Sequence, residues 1–452
     1  MKKHLLKIVA LVFCMALFLT GCATVSDVKL DGKKVNYTDA QYSQGQVIKV
    51  GDYIYFGNGY TASDSKDFSY SQAKKSGYLS RINTANDFSY SSDVKDENKD
   101  HTTPEGVEKV NGDKLIGFQY QDMYALGEYI YFTSANTHKT SAMENDYDQV
   151  SLFRIKYNGD DFKELVKDTA FKTGEGSQIT LQKGSDGNYY FLIAEPTDES
   201  TFTIKSLKVG NEIGKIETLV ENAKSYVFAD DLSSVKNIVY TVDSGKQQTT
   251  TAIKSIDFAT GDEEPIDNGE AGSETKLLDR VGDQIFYSYT MDSVTEVYHI
   301  NATSSNGYAP NSNKYFYPAT TISNVHKAGE GYVFTTESGA LIYNDFDSTK
   351  DPILLASKED FSDILFTEND YVYISNSTSI KRISTIDKTL ETIVEVTDMV
   401  SGQCGYADGY IYFYSKLGEI ETEEDEETST DENYYMYRTD LQGNFQLVGK
   451  TL

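Results

Sequence analysis

A short apolar segment recurs along the chain. It reads YIYF at Tyr53, and its third position is aromatic or β-branched each time it returns. The eight residues at this position are Tyr55, Tyr131, Tyr190, Val239, Phe286, Val333, Tyr373 and Tyr412. Because side chains alternate between the two faces of a strand, consecutive apolar residues predict a strand that is buried on both faces. The spacings shorten from 76 to 39 residues, and the shortest are typical of one four-stranded propeller blade.

A second segment follows each copy of the first, with apolar residues on either side of a polar centre. Examples are LSRIN at Leu79, LFRIK at Leu152 and IKRIS at Ile380. Turn-forming residues follow it, as in YNGDD at Tyr157. The paired segments predict an all-β protein, a β-propeller of eight blades with four antiparallel strands each, over residues 45–452. Seven blades are the alternative.

Four copies of the first segment resemble the YWTD repeat. They are YFGN at Tyr55, YFTS at Tyr131, YTVD at Tyr240 and YISN at Tyr373. The chain therefore resembles propellers of the low-density-lipoprotein-receptor type, and more closely a bacterial family of unknown function that shares their repeat. The resemblance implies the scaffold but no ligand. The chain contains no tryptophan, and phenylalanine stands at the corresponding positions 56, 132, 191 and 413. Animal members have six blades.

The N-terminus has the pattern of an export signal. Three lysines precede an apolar run from Ile8 to Leu19, which is short for a transmembrane helix. The run ends in LTGC, which resembles a bacterial lipobox and implies cleavage after residue 21 and acylation, as with palmitate, of Cys22. We expect residues 22–44 to be a tether and the protein to be anchored to the outer face of the bacterial cell membrane. An ordinary signal with a chance cysteine is the alternative, and the type of envelope is left open.

The net charge and the cysteine content limit the possible partners and the possible disulfides. The formal charge is −29, and loss of the three lysines of the signal makes it −32. Such a charge excludes nucleic acid as a general partner. Cys14 leaves with the signal and Cys22 is the expected lipidation site, so Cys404 has no cysteine left with which to form an intramolecular disulfide. We expect a monomer whose fold is held by burial.

Long insertions separate the two segments in three of the units. The separation is 9 to 16 residues in units three to seven but 23 to 26 residues in units eight, one and two, which are adjacent in a closed ring. The inserts lie near 57–77, 133–151 and 414–433, and we expect them to form one lobe that binds a ligand. The candidate contact residues are Tyr60, Phe68, Tyr70, His138, Met143 and Tyr147. Tolerated insertions without function are the alternative. A further insert near 85–110 separates units one and two.

The sequence carries little evidence of catalysis or of cofactors. Serine-hydrolase, zinc-protease, paired-cysteine and phosphate-loop spacings do not occur, and no cofactor is expected. The segment DFDSTKD at Asp345 lacks the glycine and glutamate of a calcium loop and is interpreted as a turn, and metal binding is left open. Residues 419–432 hold nine carboxylates and are interpreted as solvated. Arg81, Arg154, Arg382 and Arg438 share one column of the second segment, which indicates hydrogen bonding between blades. A cluster of cations that faces a ligand is the alternative.

These observations predict a propeller that binds a protein, peptide or glycan at the cell surface without catalysis. Two alternatives stay open. One is a glycosidase or lyase that acts on polysaccharide through carboxylates on the loop face, which requires two carboxylates in one cleft. The other is a scaffold for envelope assembly.

Overall fold

The computed structural model describes most of the chain between residues 29 and 450. The described ranges are 29–30, 33–43, 47–58, 78–84, 108–110, 123–135, 149–165, 171–172, 176–197, 200–210, 212–230, 233–243, 250–302, 314–345, 350–396, 398–399, 404–415 and 435–450. Within them every assigned element is a β-strand. The strong alternation and the β-branched and aromatic content of these segments account for this outcome.

Three strands precede the blades, and β1 and β2 pair with each other. They are β1 (Lys29–Leu30), β2 (Lys33–Lys34) and β3 (Tyr37–Tyr42). Blade 1 contains β4 (Val47–Val50), β5 (Tyr53–Asn58), β6 (Tyr78–Asn83) and β7 (Glu108–Lys109). Blade 2 contains β8 (Met123–Gly127), β9 (Tyr129–Ala135), β10 (Gln149–Lys156), β11 (Lys163–Glu164) and β12 (Phe171–Lys172). Blade 3 contains β13 (Gln178–Lys183), β14 (Tyr189–Pro196), β15 (Phe202–Val209) and β16 (Ile216–Ala223). Blade 4 contains β17 (Ser225–Val227), β18 (Ile238–Asp243), β19 (Thr251–Ile256) and β20 (Glu263–Asp267).

The remaining four blades are more regular. Blade 5 contains β21 (Glu274–Val281), β22 (Gln284–Met291), β23 (Val294–Asn301) and β24 (Lys314–Tyr317). Blade 6 contains β25 (Ile322–Ala328), β26 (Gly331–Thr336), β27 (Leu341–Asn344) and β28 (Ile353–Ala356). Blade 7 contains β29 (Asp363–Glu368), β30 (Tyr371–Asn376), β31 (Ser379–Ser384) and β32 (Leu390–Glu395). Blade 8 contains β33 (Gly405–Ala407), β34 (Tyr410–Ser415), β35 (Tyr435–Asp440) and β36 (Phe445–Lys450).

Each blade is an antiparallel sheet, and the described residues thus form eight blades, as the repeat predicts. The strands of a blade are consecutive in sequence, except that β3 pairs with the inner edge of β8 in blade 2, where both β11 and β12 pair with β10. The predicted segments are the second and third strands of every blade. The eight hydrophobic clusters among the described residues each join one pair of neighbouring blades. The third position of the first segment packs toward the following blade, as Tyr55 does. The fourth position, such as Phe56, packs toward the preceding blade, so both faces are buried.

The strand directions define two faces of the ring. The turns between first and second strands, and between third and fourth strands, lie on one face, which we call the turn face. Several first turns begin with a glycine at positive φ, including Gly51 at 59° and Gly127 at 62°. A left-handed residue suits a tight hairpin, which explains the glycine before the repeat. The other face carries the connections between second and third strands, and we call it the insertion face.

The structure differs from the sequence interpretation at two places. The insert near 85–110 lies within blade 1, between β6 and β7, because Lys109 pairs with Ser80. It therefore leaves the blade at the turn face and does not separate blades 1 and 2. Part of the predicted tether, residues 37–42, is strand β3. The division at residues 21 and 44 otherwise stays a prediction.

Candidate functional site

The predicted binding lobe lies outside the described residues. This applies to Cys22 and to all six candidate contact residues, namely Tyr60, Phe68, Tyr70, His138, Met143 and Tyr147. The strands that carry the long inserts end at Asn58, Ala135 and Ser415, which lie on the insertion face. The lobe is therefore still a prediction, but the face from which its loops leave the ring is defined.

Strand β3 occupies the central channel of the ring. It pairs antiparallel with β8, the innermost strand of blade 2, through Gln41 opposite Ala125 and Tyr42 opposite Tyr124. Because β8 runs from the insertion face to the turn face, β3 crosses the channel in the opposite direction. The chain thus enters the ring at the turn face and reaches blade 1 from the insertion face.

Blades 2 and 3 hold β3 by polar contacts. Asp39 forms an ion pair with Lys183 and accepts a hydrogen bond from the Tyr189 hydroxyl at 3.1 Å. Hydrogen bonds from Lys183 and Tyr189 hold the pKa of the Asp39 carboxyl below its usual value. The backbone N–H of Ala40 donates to the Tyr189 hydroxyl at 2.9 Å. Tyr189 therefore links β3 to blade 3 through both a side chain and the main chain.

A cavity of about 920 Å³ remains in the channel beside β3. It runs along the innermost strands β13, β17 and β21, and Tyr42 of β3 closes one side. Residues 176–178 and 200–202 form its mouth at the insertion face. A volume of this size is in the range of ligand-binding sites. We call this space the channel cavity.

Uncharged polar side chains line one wall of the channel cavity. Gln178, Thr180 and Gln182 alternate along β13 and all line the space. The Gln182 side chain is 4% exposed, and its amide makes a long contact of 3.5 Å with the Thr180 hydroxyl. Carboxamides both donate and accept, so this wall can bind groups of either kind.

Two lysines line the same space but differ in their surroundings. Lys224 is paired with Asp243 at 2.5 Å. Lys276, on β21, is exposed and has no ion-pair partner in the part of the chain that the structure describes. The wall formed by β21 therefore carries a positive charge without an ion-pair partner among the described residues.

Two carboxylates lie toward the turn face of the channel cavity. Asp230 accepts hydrogen bonds from the Gly282 N–H through both of its oxygens, at 3.0 and 2.9 Å. Asp279 accepts from the Val325 N–H at 2.9 Å and from the Arg280 N–H at 2.8 Å. Burial raises the pKa of Asp279 to about 6, the two backbone donors oppose this rise, and the charge of Asp230 adds to it. The two groups join blades 4, 5 and 6.

Arg280 is the main polar link between blades 4 and 5. Its guanidinium donates to the Ser233 hydroxyl at 2.7 Å, the Asn237 side-chain oxygen at 2.9 Å and the Val235 carbonyl at 2.9 Å. Burial lowers its pKa to about 10, so it is still a cation at neutral pH. Sequence reasoning missed this residue because it lies outside both repeated segments.

The four arginines of the second segment have structural partners. Arg81 donates to the Tyr157 carbonyl of the neighbouring blade at 3.0 Å, as predicted. Arg154, Arg382 and Arg438 instead contact residues of their own blades, which are Asp161, Glu391 and Gln446. Each of the four also lies over a tyrosine ring at the start of the second strand, at 4.0 to 5.2 Å. The cluster of cations thus serves the blades rather than a ligand.

Two histidines, Cys404 and the turn residue Asp345 have structural surroundings as well. His299 is buried between Phe286 and Phe316, and its Nδ1 lies 3.0 Å from Gln284 Oε1. Burial lowers the pKa of His326. Burial also raises the pKa of the Cys404 thiol to about 12. Asp345 is paired with Lys350 at 2.7 Å. Among the described residues no group of three or more histidine, cysteine, aspartate and glutamate side chains is arranged to hold a metal. No helix in the described ranges is long and apolar enough to span a membrane.

Two local patterns in the sequence indicate residues that line the channel. The pattern QITLQK places polar residues at alternate positions of β13, the first strand of blade 3. The second strands of the blades, in contrast, are apolar throughout. The pattern YTDAQY alternates in exposure only over its last four residues, from Asp39 to Tyr42. Both patterns indicate strands with one face toward a polar space, but the space itself is a product of the ring.

Comparisons with known proteins find similarity only to solved structures. The chain matches no protein-family model and no curated protein. It is similar to the β-propeller domain of the trilobed protease from Pyrococcus furiosus, at 11% identity over 90% of this chain and 98% of that chain, with a TM-score of 0.38. It is similar to a puromycin-hydrolysing peptidase of Mycobacterium tuberculosis, at 10% identity over 85% of this chain and 59% of that chain, with a TM-score of 0.41. It is also similar to TolB from Acinetobacter baumannii, at 12% identity, 71% and 79% coverage and a TM-score of 0.29.

The chain spans about half of the length of the first peptidases it matches, between 50% and 59%. At these identities and TM-scores the similarity carries no information about activity or ligand. The eight-bladed fold of this chain rests on its own strand pairing.

Proposed function

We propose that this chain is an exported lipoprotein, anchored through Cys22 to the outer face of the bacterial cell membrane, and that it binds a protein, peptide or glycan there. The signal-like N-terminus and the LTGC segment support the anchor. The path of β3 supports the orientation, because the chain that leads from the anchor enters the ring at the turn face. The insertion face is then directed away from the membrane.

The binding function is supported by one observation: the cavity mouth and the strand ends that carry the long inserts lie on the same face of the ring. The channel cavity has its mouth on the insertion face, and the strands that carry all three long inserts end there. Loops on a rigid scaffold and a polar cavity within it are both common sites of recognition. Fifteen Cα-to-Cα steps lead from Cys22 to Tyr37 and span at most about 50 Å when fully extended, and less with β1 and β2 paired, so the ring can stand clear of the bilayer.

The test is capture of a partner from an extract of the native envelope by the full chain. Combined alanine replacement of Tyr60, Tyr70 and Tyr147 should reduce capture at least tenfold. The matched control replaces three exposed apolar residues of blades 6 and 7, Leu354, Ile386 and Leu390, by alanine and should capture normally. Equal capture by both variants would overturn the lobe as the binding site, and no capture by the wild type would overturn the function.

A second candidate function is hydrolysis or elimination on a polysaccharide. It is favoured by one observation, the two carboxylates Asp230 and Asp279 in one cavity, of which Asp279 has its pKa raised to about 6. A carboxyl whose pKa is raised toward neutrality can act as a general acid. The bonds that both groups accept from backbone N–H groups favour a structural role instead. Release of reducing ends from cell-wall glycans, lost in Asp230→Asn and Asp279→Asn, would support the enzyme.

A further inference from the structure

The channel already holds one extended segment of chain. Strand β3 adds to the inner edge of β8, so that blade 2 gains a strand inside the channel. Within the described residues, the innermost strands of the other blades pair on one side only. Three of them, β13, β17 and β21, line the channel cavity. The Leu277 N–H of β21 donates to the Ser225 hydroxyl of β17 at 2.9 Å. The inner edge of β13, by contrast, is not paired with another strand and presents backbone N–H and C=O groups, which is the arrangement that accepts an added strand.

The dimensions suit a peptide. The six residues of β13 correspond to about 20 Å of strand, at roughly 3.3 Å per residue. The cavity follows this strand from the insertion face toward the turn face. An extended segment of about six residues fits this length.

The polar groups of the two walls suit a peptide that carries a carboxylate. Gln178 and Gln182 stand on one wall with amide donors and acceptors that match a peptide main chain. On the other wall, Lys276 offers an unpaired cation in a protein whose net charge is −29. A carboxylate of the ligand would pair with the Lys276 ammonium through a charge-assisted hydrogen bond.

We infer that the channel cavity binds an extended peptide segment whose main chain follows β13 and whose carboxylate meets Lys276. This inference rests on the proposed binding function and names its ligand class and its site. The carboxylate belongs either to a C-terminus or to an aspartate or glutamate side chain. The remaining walls, with Thr180 and Leu278, accept the side chains of the segment.

The experiment uses two random hexapeptide libraries and the immobilised full chain. One library has free C-terminal carboxylates and the other has C-terminal amides. Enriched peptides are measured individually against the wild type, Lys276→Gln, Lys276→Glu and a control, Lys215→Gln. Lys215 is an exposed lysine on the C-terminal side of β15, outside the channel. Melting curves confirm that each variant is folded.

The expected result is enrichment of acidic or C-terminal-carboxylate peptides. Their affinity should fall at least tenfold in Lys276→Gln, fall further in Lys276→Glu and stay unchanged in Lys215→Gln. Loss of binding in the amidated library identifies the C-terminus as the carboxylate, and its retention identifies a side chain.

Three outcomes overturn the inference. Equal binding by wild type and Lys276→Glu would place the peptide site elsewhere. Absence of enriched peptides, together with capture of a glycan from the envelope, would leave the binding function intact but exclude a peptide ligand. Failure of both peptide and envelope capture would remove the binding function as well.

Discussion

At the scale of single residues, the interface between blades 4 and 5 depends on polar groups as well as on packing. Arg280 is 5% exposed and donates to Ser233, Val235 and Asn237, in the described part of the connection that precedes β18. The planar guanidinium offers five donors in a fixed fork, whereas an ammonium offers three from a single nitrogen. This one side chain therefore fixes residues 233–237 against the next blade.

Replacement of Arg280 by alanine should destabilise the protein by about 3 kcal/mol or more, because several buried acceptors lose their donor. Arg280→Lys should recover only part of this loss. The measurement is the free energy of unfolding in urea. Arg382→Ala is the control, since its exposed pair with Glu391 is worth about 1 kcal/mol or less. Similar losses of unfolding free energy in Arg280→Ala and Arg382→Ala would contradict the role given to Arg280.

Asp279 makes stability depend on pH. Its pKa is about 6 in the folded protein, whereas a free aspartate has a pKa near 4. Between these values the folded state holds a proton that the unfolded state has lost, so stability falls as pH rises from about 4 to about 6 and is level above. The difference in unfolding free energy between wild type and Asp279→Asn should fall across this window by at most about 3 kcal/mol. Urea titrations from pH 4 to 7.5 measure it.

The exposed aspartate Asp351 supplies the control for this measurement. Asp351→Asn should keep the wild-type pH profile throughout. A constant difference between wild type and Asp279→Asn would show that Asp279 does not titrate in this range.

At the scale of elements, β3 is the least expected feature. The strand is short, with six mostly polar residues, and it follows a segment that resembles a processed N-terminus. The sequence interpretation therefore assigned these residues to a tether. The alternation over the last four residues of YTDAQY is present, but its partner β8 lies more than 80 residues further along the chain. Only the closed ring brings the two together.

Replacement of residues 37–42 by glycine and serine should expose the inner edge of β8. Backbone amides of β8 should then exchange with solvent at least tenfold faster, because β8 loses one of its two partners. Hydrogen exchange followed by mass spectrometry measures this change. Peptides from β25, which has one sheet partner in both proteins, should be unaffected. Equal acceleration in β25 would indicate global loosening instead.

At the scale of the whole molecule, the ring closes by contacts between blades 8 and 1 and not by a shared strand. Among the described residues, blade 8 consists of the consecutive strands β33 to β36, and no strand from the N-terminal part of the chain completes it. Closure rests on a cluster that includes Ile54 and Phe56 of blade 1 and Tyr412 and Tyr414 of blade 8. Ion pairing of Lys49 with Asp408 and a hydrogen bond from the Tyr414 hydroxyl to the Gly57 carbonyl add to it.

Two substitutions of Tyr414 should separate the contribution of the hydrogen bond from that of packing at the closure. Tyr414→Phe removes one hydrogen bond and should cost about 1 kcal/mol. Tyr414→Ala also leaves a cavity at the closure and should cost about 3 to 5 kcal/mol. Unfolding in urea provides both values.

Tyr287 provides a matched control at another blade interface. Its hydroxyl is buried without a hydrogen-bond partner among the described residues, so Tyr287→Phe should be neutral or stabilising. A loss at Tyr287→Phe as large as that at Tyr414→Phe would contradict the role given to the Gly57 contact.

The sequence by itself determined the blades. Alternating and doubly buried strands are local patterns, and their repetition fixed the number of blades, the second and third strands and the columns that pack between neighbours. The tertiary structure alone decided the contents of the channel: the threaded β3, the cavity beside it, and the carboxylates and Arg280 at its base. These features depend on residues that are distant in sequence and become neighbours only when the ring closes, and no local pattern records such contacts.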